Sequence, residues 1–287
     1  MLTVDPQRLV DPLTVKVLAM IGATAERNAV PYFVCGAMAR DILIWHVYGV
    51  PVPTATRDID LAFSLPDWDS FTALKAQLTA SGEFVADPHN QGSVRLVASD
   101  GTAGYPVDLI PFGGIATTTG AIAWPPEGVE IMSVVGYEDA LASAVVVAIT
   151  PALDVPVLSL PMLAILKLIT WSERSTHTSK DAGDLSLLLN EYARLGNTQR
   201  LYDKALALLE EVGFDLELGG AKLLGRDAAA ASNARTISAV REILAAPRLR
   251  DTLTTAVAAS MRGRAGAVET ATVLLKQFEA GLESTPG

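Results

Sequence analysis

Gly36-Ala37-Met38-Ala39-Arg40-Asp41, followed by Arg57-Asp58-Ile59-Asp60, is the stretch on which the fold turns. The apolar run Tyr32-Phe33-Val34-Cys35 before it reads as a short buried strand, and Met38 to Tyr48 returns to helical spacing. A glycine between strand and helix lets the backbone approach a ligand closely. The helix that follows presents unpaired N–H groups, which favour phosphate. From Arg57 to Phe63 charged and apolar residues alternate, which is strand periodicity with Asp58 and Asp60 on one face. Two like charges side by side repel, and a cation between them relieves the repulsion. Carboxylate oxygens suit magnesium, which also bridges substrate phosphates. The outline is that of a metal–nucleotide site; taken singly, an Asp-x-Asp pair is more often a solvated strand face or a turn.

Working outward, Asp11-Pro12 opens a helix through Leu13, Val17, Met20, Ile21 and Ala25, with Asp11 as N-cap. Pro66 to Ser81 reads as a helix stopped by Gly82. Strands are expected at 84–86, 93–98 and 106–111. The stretch from Gly113 to Gly128 is rich in Gly, Thr and Pro and reads as a loop. Strands at 130–135 and 144–149, with a short helix between them, close this half. Asp108 lies in the otherwise apolar run Tyr105-Pro106-Val107-Asp108-Leu109-Ile110-Pro111. A carboxylate there is costly unless it is paired, metal-bound or turned to water, so Asp108 is the candidate third carboxylate beside Asp58 and Asp60. Three such groups can hold metal, or hold it and serve as base toward an acceptor hydroxyl.

Past Pro161 the pattern becomes helical throughout, over 160–174, 181–195, 199–212, 216–232, 234–245 and two segments beyond Pro247. The change of composition near Pro151 to Pro161 marks a boundary between a catalytic domain, 1–155, and a helical C-terminal domain, 156–287. Lys167 sits among Ile165, Leu166, Leu168 and Ile169, and Arg174 follows seven residues later on the same helix face. A lysine in such a run either snorkels to solvent or reaches an anion. A bound triphosphate is the expected anion, across a cleft from the carboxylates. Lys180, Asp181 and Asp184 fit equally a helix N-terminus, where acidic groups are favoured. Arg40 and Asp41 read either as a local pair or, for Arg40, as a phosphate ligand. Arg57 and Arg95 are weaker phosphate candidates. Trp45, Trp68 and Trp171 read as core or rim.

Gly36-Ala37-Met38-Ala39-Arg40-Asp41, Arg57-Asp58-Ile59-Asp60 and the later Asp108 resemble the DNA polymerase β-type nucleotidyltransferase superfamily. The tail, Leu166-Lys167-Leu168, Arg174 and Lys180-Asp181-Ala182-Gly183-Asp184-Leu185, is similar to that of the AbiEii-type nucleotidyltransferases, a group that includes toxins of bacterial toxin–antitoxin systems. The likeness spans roughly residues 30 to 190. It implies an α+β fold, a twisted mixed sheet flanked by helices followed by an all-α helical bundle. It implies Asp58 and Asp60 as metal ligands for Mg2+ or Mn2+, Asp108 as third ligand or base, and Gly36 and Ala37 at the phosphates with Arg40, Arg57, Lys167 and Arg174. Lys180 and Asp184 are further candidates. The substrate implied is a nucleoside triphosphate such as ATP, the acceptor tRNA or protein, and the partner an antitoxin. The chain departs from the pattern at Ala37, where relatives often carry Ser or Gly, so no hydroxyl reaches phosphate from that position. Gly-x-x-x-Arg-Asp followed by Asp-x-Asp also occurs in tRNA CCA-adding enzymes, whose downstream Arg-Arg-Asp and Glu-Asp-x-x-Arg signatures are not found here.

Composition narrows the remaining classes. Half the 287 residues are hydrophobic, enough for a sizeable core. A net charge of −10 gives no general attraction to nucleic acid, so an RNA acceptor requires a local basic patch. One cysteine, Cys35, excludes an intrachain disulfide, and His46, His89 and His177 lack zinc-ligand spacing. With no signal-peptide pattern and no long apolar run, a cytoplasmic protein without a membrane partner is expected. The rival readings are a nucleotide-binding regulatory module without turnover, a small-molecule (antibiotic-type) nucleotidyltransferase, and a helical partner-binding protein.

Overall fold

The chain divides into two compact units, Met1–Ser159 and Leu160–Gly287. The computed structural model describes residues 1–53, 56, 58–97, 103–125, 128–175 and 178–284.

In the first unit β1 (Leu2–Thr3) precedes α1 (Pro12–Arg27), which begins where local chemistry demands. The Asp11 carboxylate accepts from the amides of Leu13 (2.9 Å) and Thr14 (3.3 Å), and Pro12 occupies the first turn, where no donor is missed. The chain continues through β2 (Tyr32–Cys35), α2 (Gly36–Arg40), a wide-turned helical segment (Asp41–Val47), β3 (Ile59–Ser64), α3 (Trp68–Ala80), β4 (Phe84–Ala86), β5 (Ser93–Val97) and β6 (Ala103–Phe112). A small hairpin of β7 (Ala121–Ala123) and β8 (Ile131–Ser133), then α4 (Tyr137–Ala142), β9 (Val145–Thr150) and β10 (Leu153–Val157) complete the unit.

Eight of these strands form one mixed sheet in the order β1-β9-β10-β2-β3-β6-β5-β4. Side chains alternate between its faces. Tyr32 and Phe63 stack on one face, where Gly22 of α1 lies against the Tyr32 ring and the Tyr105 hydroxyl meets Thr14. Burial pushes the Tyr32 phenol up to about 12, with Glu26 adding to the effect. On the opposite face Phe33, Phe112 and Tyr137 of α4 form an aromatic cluster. Both faces are therefore covered in the middle of the sheet, and the central strands are apolar almost throughout.

The second unit is helical: α5 (Leu160–Arg174), α6 (Lys180–Glu191), a wide turn (Ala193–Asn197), α7 (Thr198–Lys204), α8 (Leu206–Glu211), α9 (Leu216–Ala231), α10 (Ala234–Ala245), α11 (Pro247–Ser260) and α12 (Ala267–Glu283). Helices α9 and α12 meet backbone to backbone at Gly225 and Gly281. A Cβ at Gly225 would overlap the Phe278 carbonyl, and one at Gly281 the Lys222 carbonyl. This is the α+β architecture the sequence implies, a mixed sheet flanked by helices with a helical unit after it.

Several local expectations are corrected. The two units divide at Ser159/Leu160, inside the segment 151–161 where the composition changes, but that segment also contains an unexpected strand, β10, in the interior of the sheet between β9 and β2. Pro156 is tolerated because β10 pairs with β2 only at Val157, one residue further on. The expected loop 113–128 contains β7. The expected helix 199–212 breaks at Ala205, whose backbone leaves the helical region (φ −137°, ψ 31°).

Gly225→Ala is expected to destabilise the second unit by about 3 kcal/mol or more, since overpacking against backbone cannot relax by a rotamer change. Chemical denaturation checks it, with Gly183→Ala as a control, because a Cβ at that helical position meets only Ser260 Oγ at an ordinary 3.5 Å.

Candidate active site

Strands β3 and β6 are parallel and in register, so Asp60 stands directly beside Asp108 on one face of the sheet. The same row continues to Cys35 on β2 and to Ser93 on β5. The rows on either side carry Ile59, Val107 and Val94, and Leu61, Leu109 and Val34, on the opposite, apolar face. A single polar row thus crosses four strands, with two carboxylates at its centre.

Gly36 closes over this row. Its φ of +61° is the left-handed conformation that favours glycine, and a Cβ there would overlap the Asp60 carboxylate. The backbone at the start of α2 is therefore in direct contact with Asp60. Ala37 occupies the first turn of α2 and is partly exposed.

Asp108 is held from the side. Ser93 Oγ donates a short hydrogen bond to Asp108 Oδ1, and Asn90 Nδ2 approaches the same oxygen at 3.5 Å. Among the described residues no partner falls on Oδ2. Ser93 and Asn90 escaped the sequence reading. The turn signal Asn90-Gln91-Gly92 was visible, but the pairing of Ser93 with Asp108 depends on a strand register that no local pattern reveals.

Arg40 and Asp41 form the local pair. Arg40 Nε donates to Asp41 Oδ1 at 2.8 Å, Nη2 lies 2.6 Å from the same oxygen, and both residues are buried. Asp41 Oδ2 in turn accepts from the Thr56 amide at 3.0 Å. This ties the helix to the chain just ahead of Asp58. Arg57 lies outside the described residues. Asp58 is exposed, immediately before β3, and its amide donates to Thr56 Oγ1. Arg95 pairs with Asp87 at 2.6 Å, and bonding from the His89 amide and Arg95 holds the Asp87 carboxyl below its ordinary value. Trp171 is fully buried and Trp68 packs against Phe71 and Trp124, both as core or rim residues.

The donor chemistry of Asp60 and Asp108 fits a hard divalent cation, since both offer only oxygen and repel one another without one. A ready cluster of three is not formed: among the described residues no three His, Cys, Asp or Glu side chains converge closely enough to hold a metal ion. Magnesium bound here would complete its shell with substrate phosphate and water, as it commonly does.

In the second unit Lys167 lies 2.9 Å from Asp181 and 2.6 Å from Asp184, and Arg174 Nε lies 3.0 Å from Asp181. The anion expected of a bound nucleotide is therefore supplied by the next helix, which corrects the reasoning that brought Lys167 to notice. Burial alone would lower the Lys167 ammonium; Asp184 and Asp181 outweigh it and raise it above its ordinary value. Burial alone would raise the Asp181 carboxyl; Lys167 and Arg174 hold it below. Arg174 keeps 54% of its side chain exposed, and Lys180 is exposed.

Residues 35–278 match the family described as nucleotidyl transferase AbiEii toxin, Type IV TA system. The match spans most of the chain, and the chain belongs to that family. Among curated proteins none matches it. Solved structures similar to it include an antigenic nucleotidyltransferase-like protein from Paracoccidioides brasiliensis, at 14% identity and TM-score 0.42, covering 71% of this chain and 93% of that one. The antibiotic-resistance factor ANT(2'')-Ia is similar at 14% identity and TM-score 0.37, covering 71% and 98%. The Thermotoga maritima CCA-adding enzyme complexed with tRNA is similar at 13% identity and TM-score 0.25, covering 95% and 82%.

Asp181→Asn is expected to cost about 3 kcal/mol at neutral pH, because it strands part of a buried ion cluster. The Asp181 carboxyl is depressed in the folded state, so its contribution is present above the unfolded value of about 3.9 and is lost as pH falls through the folded value. Denaturant titrations at pH 7 and pH 3 check this: the gap between wild type and variant should shrink at the lower pH.

Proposed function

We propose that the chain is a nucleoside-triphosphate-dependent nucleotidyltransferase whose reacting centre is the Asp60–Asp108 row beneath Gly36. The observation that carries this is the in-register pair of carboxylates on parallel strands, touching the glycine that opens a helix. Family membership supports the class of reaction.

In this reading the backbone of Gly36 and Ala37 takes the triphosphate, next to the Asp60 carboxylate that lies against Gly36. Asp60 and Asp108, with Asp58, hold Mg2+ or Mn2+, which when bound supplies charge neutralisation for the triphosphate. Asp108 accepts the proton of the acceptor hydroxyl through Oδ2, while Ser93 and Asn90 fix the carboxylate by Oδ1. The acceptor oxygen attacks the α-phosphorus in line, the bond to the bridging oxygen of the β-phosphate breaks, and pyrophosphate leaves. Arg40 holds Asp41 in place by its guanidinium. Lys167 acts within the second unit by holding Asp181, which in turn fixes the half-exposed guanidinium of Arg174. The acceptor is a macromolecular hydroxyl, on tRNA or protein, and the toxin class supports an antitoxin as the controlling partner. Among the described residues no helix is long and apolar enough to cross a membrane.

The test is transfer from nucleoside triphosphates labelled at the α or the γ phosphate, incubated with total cell RNA and protein. Label from the α position should enter macromolecule and label from the γ position should not. Asp60→Asn should reduce transfer by at least about a thousandfold, in line with loss of a metal ligand and its charge stabilisation, while the thermal midpoint holds or rises. Transfer of the γ label, or an active Asp60→Asn variant, contradicts the assignment.

A further inference from the structure

The helix that begins at Gly36 does not continue with ordinary spacing. Over Asp41–Val47 its turns widen: the Tyr48 amide donates to Leu43 O at 3.0 Å and the Val50 amide to Ile44 O at 2.9 Å. Wide turns are rare and persist where the surroundings fix them. The last carbonyls of any helix also lack partners of their own.

Here the first residues of the chain donate to three of them, of which Trp45 O also accepts from the Gly49 amide at 3.0 Å. Arg8 Nε donates to Trp45 O at 2.9 Å, the Asp5 amide to His46 O at 2.9 Å, and Arg8 Nη2 to Val47 O at 3.3 Å. Three consecutive carbonyls are thus capped from one segment. The contact is reciprocal, because His46 Nδ1 donates to Arg8 O at 2.5 Å. Asp5 holds the guanidinium at 2.7 Å, and the Arg8 Cζ lies 5.8 Å from the centre of the Trp45 ring. Gly49, at φ +73°, makes room for it, since a Cβ there would come within 2.8 Å of the Arg8 Cζ. A cation at this end also complements the helix dipole. The segment is itself anchored, with β1 pairing β9 and the Val4 amide donating to Ala148 O at 3.1 Å.

We infer that Arg8 is a positioning residue for the phosphate cradle, the guanidinium of an N-terminal strap that fixes the register of the helix carrying Gly36, Arg40 and Asp41. This rests on the nucleotide reading of the site. Arg8 touches no reacting atom. It holds one end of the helix, and the other end sets Gly36 against Asp60 and the Asp41 carboxylate under the Thr56 amide. Without the strap the wide turn relaxes toward ordinary spacing, a shift of about one residue, and the cradle and the approach to Asp58 move with it. The strap lies ahead of residues 35–278, the part that matches the family.

The experiment compares full-length wild type, Arg8→Ala and Arg8→Lys by residue-resolved amide exchange and by binding of ATP with magnesium. In Arg8→Ala, exchange at Gly49, Val50 and Thr56 should accelerate while Leu61 and Leu109 in the sheet stay protected, which separates loss of the strap from general unfolding. The ATP dissociation constant should rise about tenfold, the scale of a lost charge-assisted contact. Arg8→Lys, which keeps a cation at the helix end and less of the fork geometry, should recover part of both effects and guards against a variant that fails to fold. Unchanged exchange at Thr56 overturns the inference, and so does unchanged ATP affinity in an Arg8→Ala chain whose Thr56 amide has been released. A wild type that binds no ATP refutes the nucleotide reading instead, and exchange at Thr56 still decides whether the strap holds the helix.

Discussion

Asp60 and Asp108 stand side by side because β3 and β6 run parallel with these two residues in register, and the rest of the first unit serves that juxtaposition. Neighbouring strands are about 4.8 Å apart. Two full charges at that spacing repel by about 3 kcal/mol at an effective dielectric of about 20. That exceeds the net worth of an ordinary hydrogen bond, about 1 kcal/mol. In the proposed reaction a cation between the two carboxylates would offset that repulsion.

The helix from Gly36 to Val47 connects this centre to its surroundings. At its start, Gly36 adopts a left-handed backbone because the Asp60 carboxylate occupies the place of a side chain. One turn on, the buried Arg40–Asp41 pair holds the amide of Thr56. At its end, Arg8 and Asp5 cap three carbonyls. The two strands on either side of the helix in the chain, β2 and β3, are antiparallel neighbours. A short length of backbone is thus fixed at four points, which is the preorganisation that phosphoryl chemistry needs. In the second unit the cluster of Lys167, Arg174, Asp181 and Asp184 satisfies its own charges, leaving Arg174 as the half-exposed cation.

Much of this was legible in the chain, and the reasons for the rest are physical. The β2–Gly36–α2 unit is a local pattern that the structure contains; the strand expected from Arg57 begins at Ile59, with Asp60 in it and Asp58 ahead of it. The apolar run around Asp108 announced a strand, but its position beside Asp60 is a property of long-range pairing. Ser93 is invisible for the same reason, being an ordinary serine until register sets it against Asp108. Strand β10 was hidden by Pro156, which local rules read as a breaker. Lys167 stands out as a charge among apolar neighbours, but its pairing with Asp181 and Asp184 joins two helices, and the sequence around those aspartates fits a helix start as well as a site. The N-terminal strap left no signal, because capping of carbonyls at a distance of some forty residues has no periodicity.

The claim at the centre of this account is that the Asp60–Asp108 pair takes a divalent cation together with a triphosphate. Electron paramagnetic resonance of Mn2+ with ATP tests it directly, because the free and protein-bound ions give different spectra. The account predicts that wild type sequesters Mn2+ in the presence of ATP and that a chain carrying both Asp60→Asn and Asp108→Asn does not, although it remains folded. Identical Mn2+ spectra for the two proteins would contradict it.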